Sequence, residues 1–287
     1  MTDMQSLLTV ALLLAVFAVP AGAAEPDTLF KIRRASTIAI GYSEAAKPFS
    51  FLGPDGKPAG YSIDLCREIA AGVQRDLNLS KLEIKWVKLP PDARISAVVS
   101  GRVDIECGST TRTLSREAQV DFTNLTFVDG ASLLVTETSG IKHPAHLAGK
   151  RIAVVQTTTT ERVLAETLKR LSITDVTLFA VKDHPEALTA LENGKIDAYA
   201  SDRVILAGLL TSAKDPAKLV LLDDYLSYEP YAFVVRRNDS PFRLAVNRVL
   251  ARLYRSAEVV PIYEKWFGPM PEGGLIPAVF ALQSVPE

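Results

Sequence analysis

The segment from Asp104 to Phe122, DIECGSTTRTLSREAQVDF, places hydroxyl side chains and an arginine just after an apolar strand pattern. Ser109 and Thr111 follow the strand, and Arg116 lies in the helix predicted beyond them. Hydroxyls and free backbone N–H groups at a strand end can bind an anion. A nearby guanidinium can add a bidentate bond to a carboxylate. The segment therefore predicts a carboxylate site as readily as it predicts a plain helix N-cap with a surface arginine.

Two further strand ends carry polar side chains. In the segment 154–161, VVQTTTTE, a buried strand runs into hydroxyls, of which Thr158 or Thr159 can cap the next helix or bind an anion. Asp202 follows another predicted strand, and its carboxylate can hold an ammonium group or cap the helix that follows. Open α/β sheets bind ligands at the carboxyl ends of their strands. Together the three segments predict a site for a zwitterionic α-amino acid between two lobes.

Other chemistries have no motif in the sequence. It contains no glycine-rich phosphate loop, no HExxH and no GxSxG. His143 and His146 are three residues apart, but Pro144 breaks the helix that would place them on one face. We therefore expect no catalytic residue, no metal and no cofactor. A formal net charge of −1 gives no electrostatic case for binding nucleic acid.

Apolar patterns alternate between strands and helices and predict an α/β layer fold. A first unit has predicted strands at 37–41, 82–87 and 103–106 and helices at 64–77 and 93–100. A second unit has strands at 131–136, 150–155, 176–179 and 196–200 and helices at 160–171, 185–192 and 203–210. The strand at 231–235 and the helices at 241–254 and 260–267 lack a partner layer of their own. We expect them to return to the first unit, so that one lobe comprises residues 25–129 and 230–287 and the other residues 130–229.

The first 24 residues have the pattern of a secretory signal peptide. Positions 7–19 are apolar apart from one threonine, a run too short for a bilayer core, which needs about 20 residues. Small residues at 21–24 suit cleavage. Asp3 precedes the apolar run where a base is usual, and a start at Met4 would remove it. A short membrane anchor is the alternative. We expect the mature chain to be soluble, exported and monomeric.

Two cysteines are too few for a disulfide scaffold or a four-cysteine zinc site. Cys66 lies in a predicted helix and Cys107 in a predicted strand. An oxidising compartment would let them form a disulfide if they lie close together. We expect instead two small, unbonded core residues.

Several short motifs occur in a specific order along the chain. They are PFSF (48–51), GYSIDL (60–65), ECGSTT (106–111), KDH (182–184), LENG (191–194) and EKWFGPMP (264–271). With them the sequence, from about residue 38 to 271, resembles the family 3 solute-binding proteins of polar amino acid ABC transporters, especially the periplasmic glutamate/aspartate-binding proteins. The resemblance implies a two-lobed periplasmic binding protein fold of type II, with a mixed sheet flanked by helices in each lobe and two hinge strands. It implies a non-enzymatic protein that binds an L-α-amino acid and delivers it to an inner-membrane ABC permease.

The resemblance also implies roles for single residues. The ligand α-carboxylate would be held by Arg116 with Ser109, Thr111 and Thr158 or Thr159. Asp202 would bind the α-ammonium group. Arg94 and His184 match positions that hold the side-chain carboxylate of acidic ligands.

The sequence departs from this family pattern at a few positions. Ser43 stands where the acidic-ligand relatives carry an arginine, and Pro91 stands where they carry a serine. Loss of a charge-assisted bond to a carboxylate costs about 1.5–3 kcal/mol, so a neutral polar or amide ligand is an alternative. Arg112 and Lys47 are candidates to compensate. Thr157 stands where relatives often have glycine.

Two other functions fit the same scaffold. One is a periplasmic lyase similar to cyclohexadienyl dehydratase, for which Glu44 and His184 are the candidate acid and base. The other is a protein that presents its ligand to a separate sensor. The paired clamps for carboxylate and ammonium, Arg116 and Asp202, favour the transport role.

Overall fold

The computed structural model describes residues 27–286, so the predicted signal peptide lies outside the described residues. The helices are α1 (Thr28–Ala35), α2 (Tyr61–Asp76), α3 (Arg94–Val99), α4 (Leu114–Glu117), α5 (Thr159–Arg170), α6 (His184–Glu192), α7 (Arg203–Leu210), α8 (Ser240–Arg255), α9 (Val259–Phe267) and α10 (Leu275–Leu282). The strands are β1 (Thr37–Tyr42), β2 (Ala45–Ala46), β3 (Ser50–Leu52), β4 (Pro58–Ala59), β5 (Glu83–Lys88), β6 (Ile105–Glu106), β7 (Val120–Asp129), β8 (Ala131–Thr136), β9 (Lys150–Val155), β10 (Val176–Val181), β11 (Ala198–Asp202), β12 (Leu219–Leu221) and β13 (Glu229–Arg236). None of the helices in this range is long and apolar enough to cross a membrane.

The first lobe is built on a sheet with the strand order β5-β1-β6-β13-β7. β1, the apolar segment TIAIGY, is buried almost throughout because it pairs in parallel with β5 and β6 inside the sheet. α2 presents Leu65, Ile69 and Val73, at helical spacing, to a core that it shares with α8 and α9. The late strand β13 and the helices after it thus pack with the first sheet, although they follow the second sheet in the chain.

The second lobe is built on a sheet with the strand order β10-β9-β11-β8-β12. The strands β10, β9 and β11 are parallel, so their carboxyl ends meet at one edge. In β9, Ile152 and Val154 belong to one apolar core, and Ala153 and Val155 belong to the core on the other face. Burial on both faces explains why the strand reads as a continuous apolar run.

The chain crosses between the lobes twice, and the crossings lie side by side. β7 leads into β8 through Gly130, and β13 begins at Glu229, which lies opposite Asp129 in the antiparallel pairing of β7 with β13. A Cβ atom on Gly130 would lie 2.4 Å from the carbonyl oxygen of Ser227, so only glycine permits this approach. These crossings are the counterparts of the two expected hinge strands.

The lobes also touch away from the crossings. Gly208, on α7 of the second lobe, faces the loop after β2 of the first lobe, where a Cβ atom would lie 2.6 Å from the carbonyl oxygen of Lys47. Lys47 Nζ donates a hydrogen bond of 3.3 Å to Thr211 Oγ1 at the end of α7. The second lobe therefore approaches the first closely on this side.

Most predicted elements are present with shifted ends, and several elements are present that the patterns do not predict. α2 begins at Tyr61, one turn before its predicted start. β7 has no predicted counterpart because its apolar run is interrupted by Thr123 and Thr126, which are buried and accept or donate hydrogen bonds within the lobe. The elements α1, α10 and β12 were likewise not predicted.

The expectation of two unbonded cysteines is wrong. Cys66 and Cys107 form a disulfide with their Cα atoms 6.4 Å apart. α2 packs over the first sheet and brings Cys66 above the end of β6, where both residues are fully buried. Sequence spacing carries no information on this contact, because it depends on how the helix lies across the sheet.

Candidate ligand-binding site

A small cavity lies between the lobes, where the carboxyl ends of strands from both sheets meet. It is lined by Pro91, Arg94, Ser109, Thr111, Arg116, Val155, Thr158, Thr159, Thr160, His184, Ala200, Ser201, Asp202 and Ile205. This set contains eight of the nine residues predicted to bind the ligand. Among residues 27–286, no group of three or more His, Cys, Asp or Glu side chains has an arrangement that could hold a metal ion.

Ser43 is the predicted site residue that the structure does not bring to the cavity. It lies buried after β1, where Ser50 Oγ accepts the Ser43 N–H at 2.9 Å and donates to the Ser43 carbonyl at 3.1 Å. The local turn holds the segment by these backbone contacts. The position expected to carry an arginine therefore contributes neither charge nor hydroxyl to the cavity lining.

The first lobe supplies hydroxyls and a fixed cation. Ser109 and Thr111 follow β6, and Arg116 lies in α4, whose first turn is capped by the hydroxyl of Thr113. Arg116 Nη1 donates a hydrogen bond of 2.8 Å to the carbonyl oxygen of Thr111, which holds the guanidinium beside the hydroxyls. Burial and the nearby Arg94 lower the pKa of Arg116, but a guanidinium stays charged at neutral pH. This wall can bind a carboxylate.

Arg94, the first residue of α3, is the second cation of the cavity. Its Nε lies 3.9 Å from Oε1 of Glu106, and neither atom has a hydrogen-bond partner among the described residues. Burial raises the pKa of Glu106, and the charge of Arg94 opposes that rise. Thr110 donates to the other carboxylate oxygen at 2.8 Å. A Cβ atom on Gly108 would lie 2.3 Å from Oε1, so the glycine leaves room for this buried acid behind Arg94.

Three consecutive threonines bring the second lobe to the cavity. Thr158 is the N-cap of α5, since its hydroxyl accepts the N–H of Glu161 at 3.2 Å and donates to the Val155 carbonyl at 2.7 Å. Capping therefore occupies the Thr158 hydroxyl. The Thr159 hydroxyl takes no part in the cap and donates to Glu229 instead. Thr157 has a φ of 64°, a left-handed conformation that a β-branched residue rarely adopts. This backbone explains the glycine expected there.

Asp202 faces the cavity rather than capping a helix. It occupies the N-cap position of α7, but its side chain makes no capping hydrogen bond. It accepts hydrogen bonds from the hydroxyl of Tyr231 and from Thr160 Oγ1, the latter at 3.1 Å. Burial and the nearby carboxylate of Glu229 raise the pKa of Asp202 to about 6, although both hydrogen bonds oppose the rise. Near neutral pH the group is mostly charged and can hold an ammonium group.

Asp129, at the end of β7, takes over the capping of α7. Its Oδ2 accepts the N–H of Val204 at 3.0 Å, a contact from a strand of the first lobe to a helix of the second. Burial and the charge of Asp202 raise the pKa of Asp129 to about 7. Because Asp129 provides the cap, the side chain of Asp202 is free to face the cavity.

His184 enters the cavity as an uncharged ring. It begins α6 and is buried, with its Nδ1 atom 2.6 Å from the hydroxyl of Tyr199. Burial, together with the charge of Arg94, lowers the pKa of His184 to about 3. The neutral imidazole offers one N–H donor but adds no positive charge at neutral pH.

Glu229 is a buried acid behind the cavity that the sequence patterns miss. It begins β13 and is 1% exposed. Its Oε1 accepts a hydrogen bond from Ser227 at 2.6 Å, and its Oε2 accepts from Thr111 at 2.6 Å and from Thr159 at 2.8 Å. An acidic residue at the start of an otherwise apolar strand is the signal that points to it.

This geometry places two cations, one carboxylate and a set of hydroxyls between two α/β lobes, and comparison with known proteins agrees with it. Residues 38–269 match the model of the bacterial extracellular solute-binding proteins, family 3. The chain belongs to this family. The match covers most of the described residues and confirms the family expected from the sequence motifs.

Individual relatives of this solute-binding protein are similar over nearly their whole length. The L-glutamate/L-aspartate-binding protein of Pseudomonas aeruginosa is 38% identical over 273 residues, which are 94% of this chain and 90% of that protein. The glutamate/aspartate import solute-binding protein of Escherichia coli K12 is 32% identical over 256 residues, 89% of this chain and 84% of that protein. A solved structure of an ancestral amino acid-binding protein, a precursor of cyclohexadienyl dehydratase, has a TM-score of 0.72 and 25% identity and covers 84% of this chain and 100% of that one. The two-lobed α/β fold is thereby confirmed.

Proposed function

We propose that this protein is the periplasmic substrate-binding component of an amino acid ABC transporter and that its ligand is L-glutamate or L-aspartate. The observation that carries the proposal is the charge of the cavity. Of the described residues that line it, Arg94 and Arg116 are cationic, Asp202 is the carboxylate, and His184 is uncharged. A ligand with one ammonium and two carboxylate groups complements this set.

Each ligand group has a partner of opposite charge. The α-carboxylate is assigned to Arg116, whose guanidinium is fixed beside Ser109 and Thr111. The α-ammonium is assigned to Asp202. The side-chain carboxylate is assigned to Arg94, which lines the cavity and whose Nε atom has no hydrogen-bond partner among the described residues. Relatives named for binding glutamate and aspartate support this assignment.

Binding without chemical conversion is the better supported of the two activities. The lyase alternative relies on Glu44 and His184 as the acid and base that exchange protons with the substrate near neutral pH. The pKa of His184 is too low for this, and Glu44 pairs with Lys88 away from the residues that line the cavity. Asp202 accepts two hydrogen bonds from neighbouring hydroxyls, which orients it as an acceptor for an ammonium group.

The same proposal covers the setting of the protein. It is exported through a cleaved signal peptide, acts as a monomer in the periplasm and delivers its ligand to inner-membrane permease subunits. The lobes divide at residues 129–130 and 229–230, and closure about the two crossings encloses the ligand. Family membership and the paired crossings support this picture.

The test is isothermal titration calorimetry on residues 25–287 after unfolding and refolding have removed bound ligand. L-glutamate and L-aspartate should bind more tightly than L-glutamine and L-arginine. Tighter binding of a neutral amino acid would overturn the acidic specificity. Failure of every common L-amino acid to bind, with turnover of prephenate or arogenate, would overturn the transport role.

Two variants test the assignment of the side-chain carboxylate. Arg94→Gln should weaken L-glutamate binding about 10- to 100-fold, the equivalent of one lost charge-assisted bond, while L-glutamine loses less. Ser43→Ala is the matched control, since its side chain does not line the cavity, and it should leave both affinities unchanged. An equal loss for both ligands in Arg94→Gln would refute the assignment.

A further inference from the structure

We infer that Glu229 is a positioning residue that turns the hydroxyl groups of Thr111 and Thr159 so that they accept hydrogen bonds from the ligand's α-ammonium group. The inference rests on the proposed function, because it concerns how an amino acid is held in the same cavity. It changes the role of both threonines, which the sequence patterns assign to a carboxylate.

One carboxylate oxygen of Glu229 accepts hydrogen bonds from two residues that lie far apart in the sequence. Thr111 follows β6 in the first lobe, and Thr159 is the first residue of α5 in the second lobe. Both donate to Oε2 of Glu229, and their own oxygens are 3.3 Å apart. Glu229 lies on the second crossing between the lobes. The two hydroxyls therefore meet only when the lobes are together.

The direction of these hydrogen bonds decides what the hydroxyls can recognise. A hydroxyl has one proton and two lone pairs, whereas a carboxylate only accepts. Since both protons are given to Glu229, Thr111 and Thr159 present lone pairs to the cavity that both of them line. A second carboxylate placed there would find no proton to accept.

An ammonium group fits this arrangement because it has three N–H donors and no acceptor. Thr111, Thr159 and Asp202 line one cavity and offer three acceptors. The α-carboxylate of the ligand is then left to Arg116. The two hydroxyls thus determine the orientation of the bound amino acid. Glu229 in turn determines the orientation of the two hydroxyls.

The experiment is a double-mutant cycle on L-glutamate affinity, measured by calorimetry with Glu229→Leu, Thr159→Val and the double variant. Leucine has no acceptor for the two threonine protons, so the hydroxyls are free to turn their protons towards the cavity. Glu229→Leu alone should weaken binding about 10-fold or more. In the Thr159→Val background the same change should weaken binding clearly less, because one of the two hydroxyls is already gone.

A merely structural role predicts another pattern. Glu229→Leu would then cost the same factor in both backgrounds, and this result would overturn the inference. Ser227→Ala is the matched control: it removes the donor to Oε1, whereas both threonines donate to Oε2, and it should leave the affinity unchanged. An equal loss in Ser227→Ala would also overturn the inference. If Glu229→Leu does not fold, Glu229→Asp, whose shorter side chain withdraws the carboxylate from the threonines, enters the same cycle.

The unmodified protein separates this inference from the proposed function. If it binds no L-amino acid, the proposed function fails and the inference fails with it. If it binds L-glutamate but the cycle shows no coupling, the function stands and only the role of Glu229 is refuted.

Discussion

Acidification should weaken the binding of L-glutamate because Asp202 must be charged to accept the ligand's ammonium group. Burial and the carboxylate of Glu229 raise the pKa of Asp202 from 3.8 to about 6. A proton held by this group in the free protein must leave when an ammonium group arrives. Affinity is therefore nearly full at pH 7 and above, and it falls as the pH drops through 6.

The size of the effect follows from that pKa. With a pKa of about 6, the carboxyl group is roughly one-tenth protonated at pH 7 and roughly nine-tenths protonated at pH 5. Only the charged fraction binds, so the apparent Kd should rise roughly tenfold from pH 7 to pH 5. Asp129, with a pKa of about 7, titrates in a neighbouring range but does not line the cavity.

Calorimetry between pH 5 and pH 8 measures both the affinity and the protons released. Near pH 5 close to one proton should leave for each ligand bound. Asp129→Asn should keep the tenfold dependence, whereas Asp202→Asn should bind weakly with a flat profile. An unmodified protein whose Kd is the same at pH 5 and pH 7 would refute the reasoning, as would a profile abolished by Asp129→Asn alone.

Three further outcomes follow from the backbone and the lobe contacts. Gly208→Ala should weaken ligand binding without lowering the melting temperature of the free protein. The reason is that the added Cβ would lie 2.6 Å from the carbonyl oxygen of Lys47 in the other lobe. Calorimetry that showed an unchanged affinity would contradict this. Thr157→Gly should stabilise the protein by about 1 kcal/mol by relieving the left-handed backbone, and an unchanged melting temperature would argue against that strain. Replacing both Cys66 and Cys107 by serine should lower the free energy of unfolding by about 4 kcal/mol, because the disulfide closes a loop of 41 residues in the unfolded chain. A loss below about 1 kcal/mol in denaturant unfolding would show that the disulfide hardly constrains the unfolded chain.

The sequence was informative about the cavity wherever local pattern decides structure. An apolar strand followed by hydroxyls marks the end of β6 in the first sheet and the end of β9 in the second. Within each sheet, parallel pairing places the carboxyl ends of neighbouring strands at the same edge. The motifs around Arg116, His184 and Asp202 lie at these edges. These motifs come together because of the sheet topology. The alternation of strands and helices in the sequence already indicates that topology.

What the sequence could not give depends on contacts between distant segments. Glu229 is separated by 118 residues from Thr111 and by 70 residues from Thr159, so no local pattern reports that the three side chains meet. The packing of α2 over β6 decides the disulfide in the same way. Ser43 was expected at the ligand because of a family position, but the contacts with Ser50 turn its segment into the first lobe.

The strand order of the first sheet has a consequence for the order of folding during synthesis. The second sheet uses one uninterrupted stretch of chain, β8 to β12, and can assemble as soon as that stretch is made. The first sheet needs β13 between β6 and β7, and its core needs α8, which is among the last elements to be made. The N-terminal half of the first lobe must therefore wait, with β7 unpaired and β6 paired only with β1, while the lobe encoded after it folds. In this chain the lobe that begins first is the lobe that finishes last.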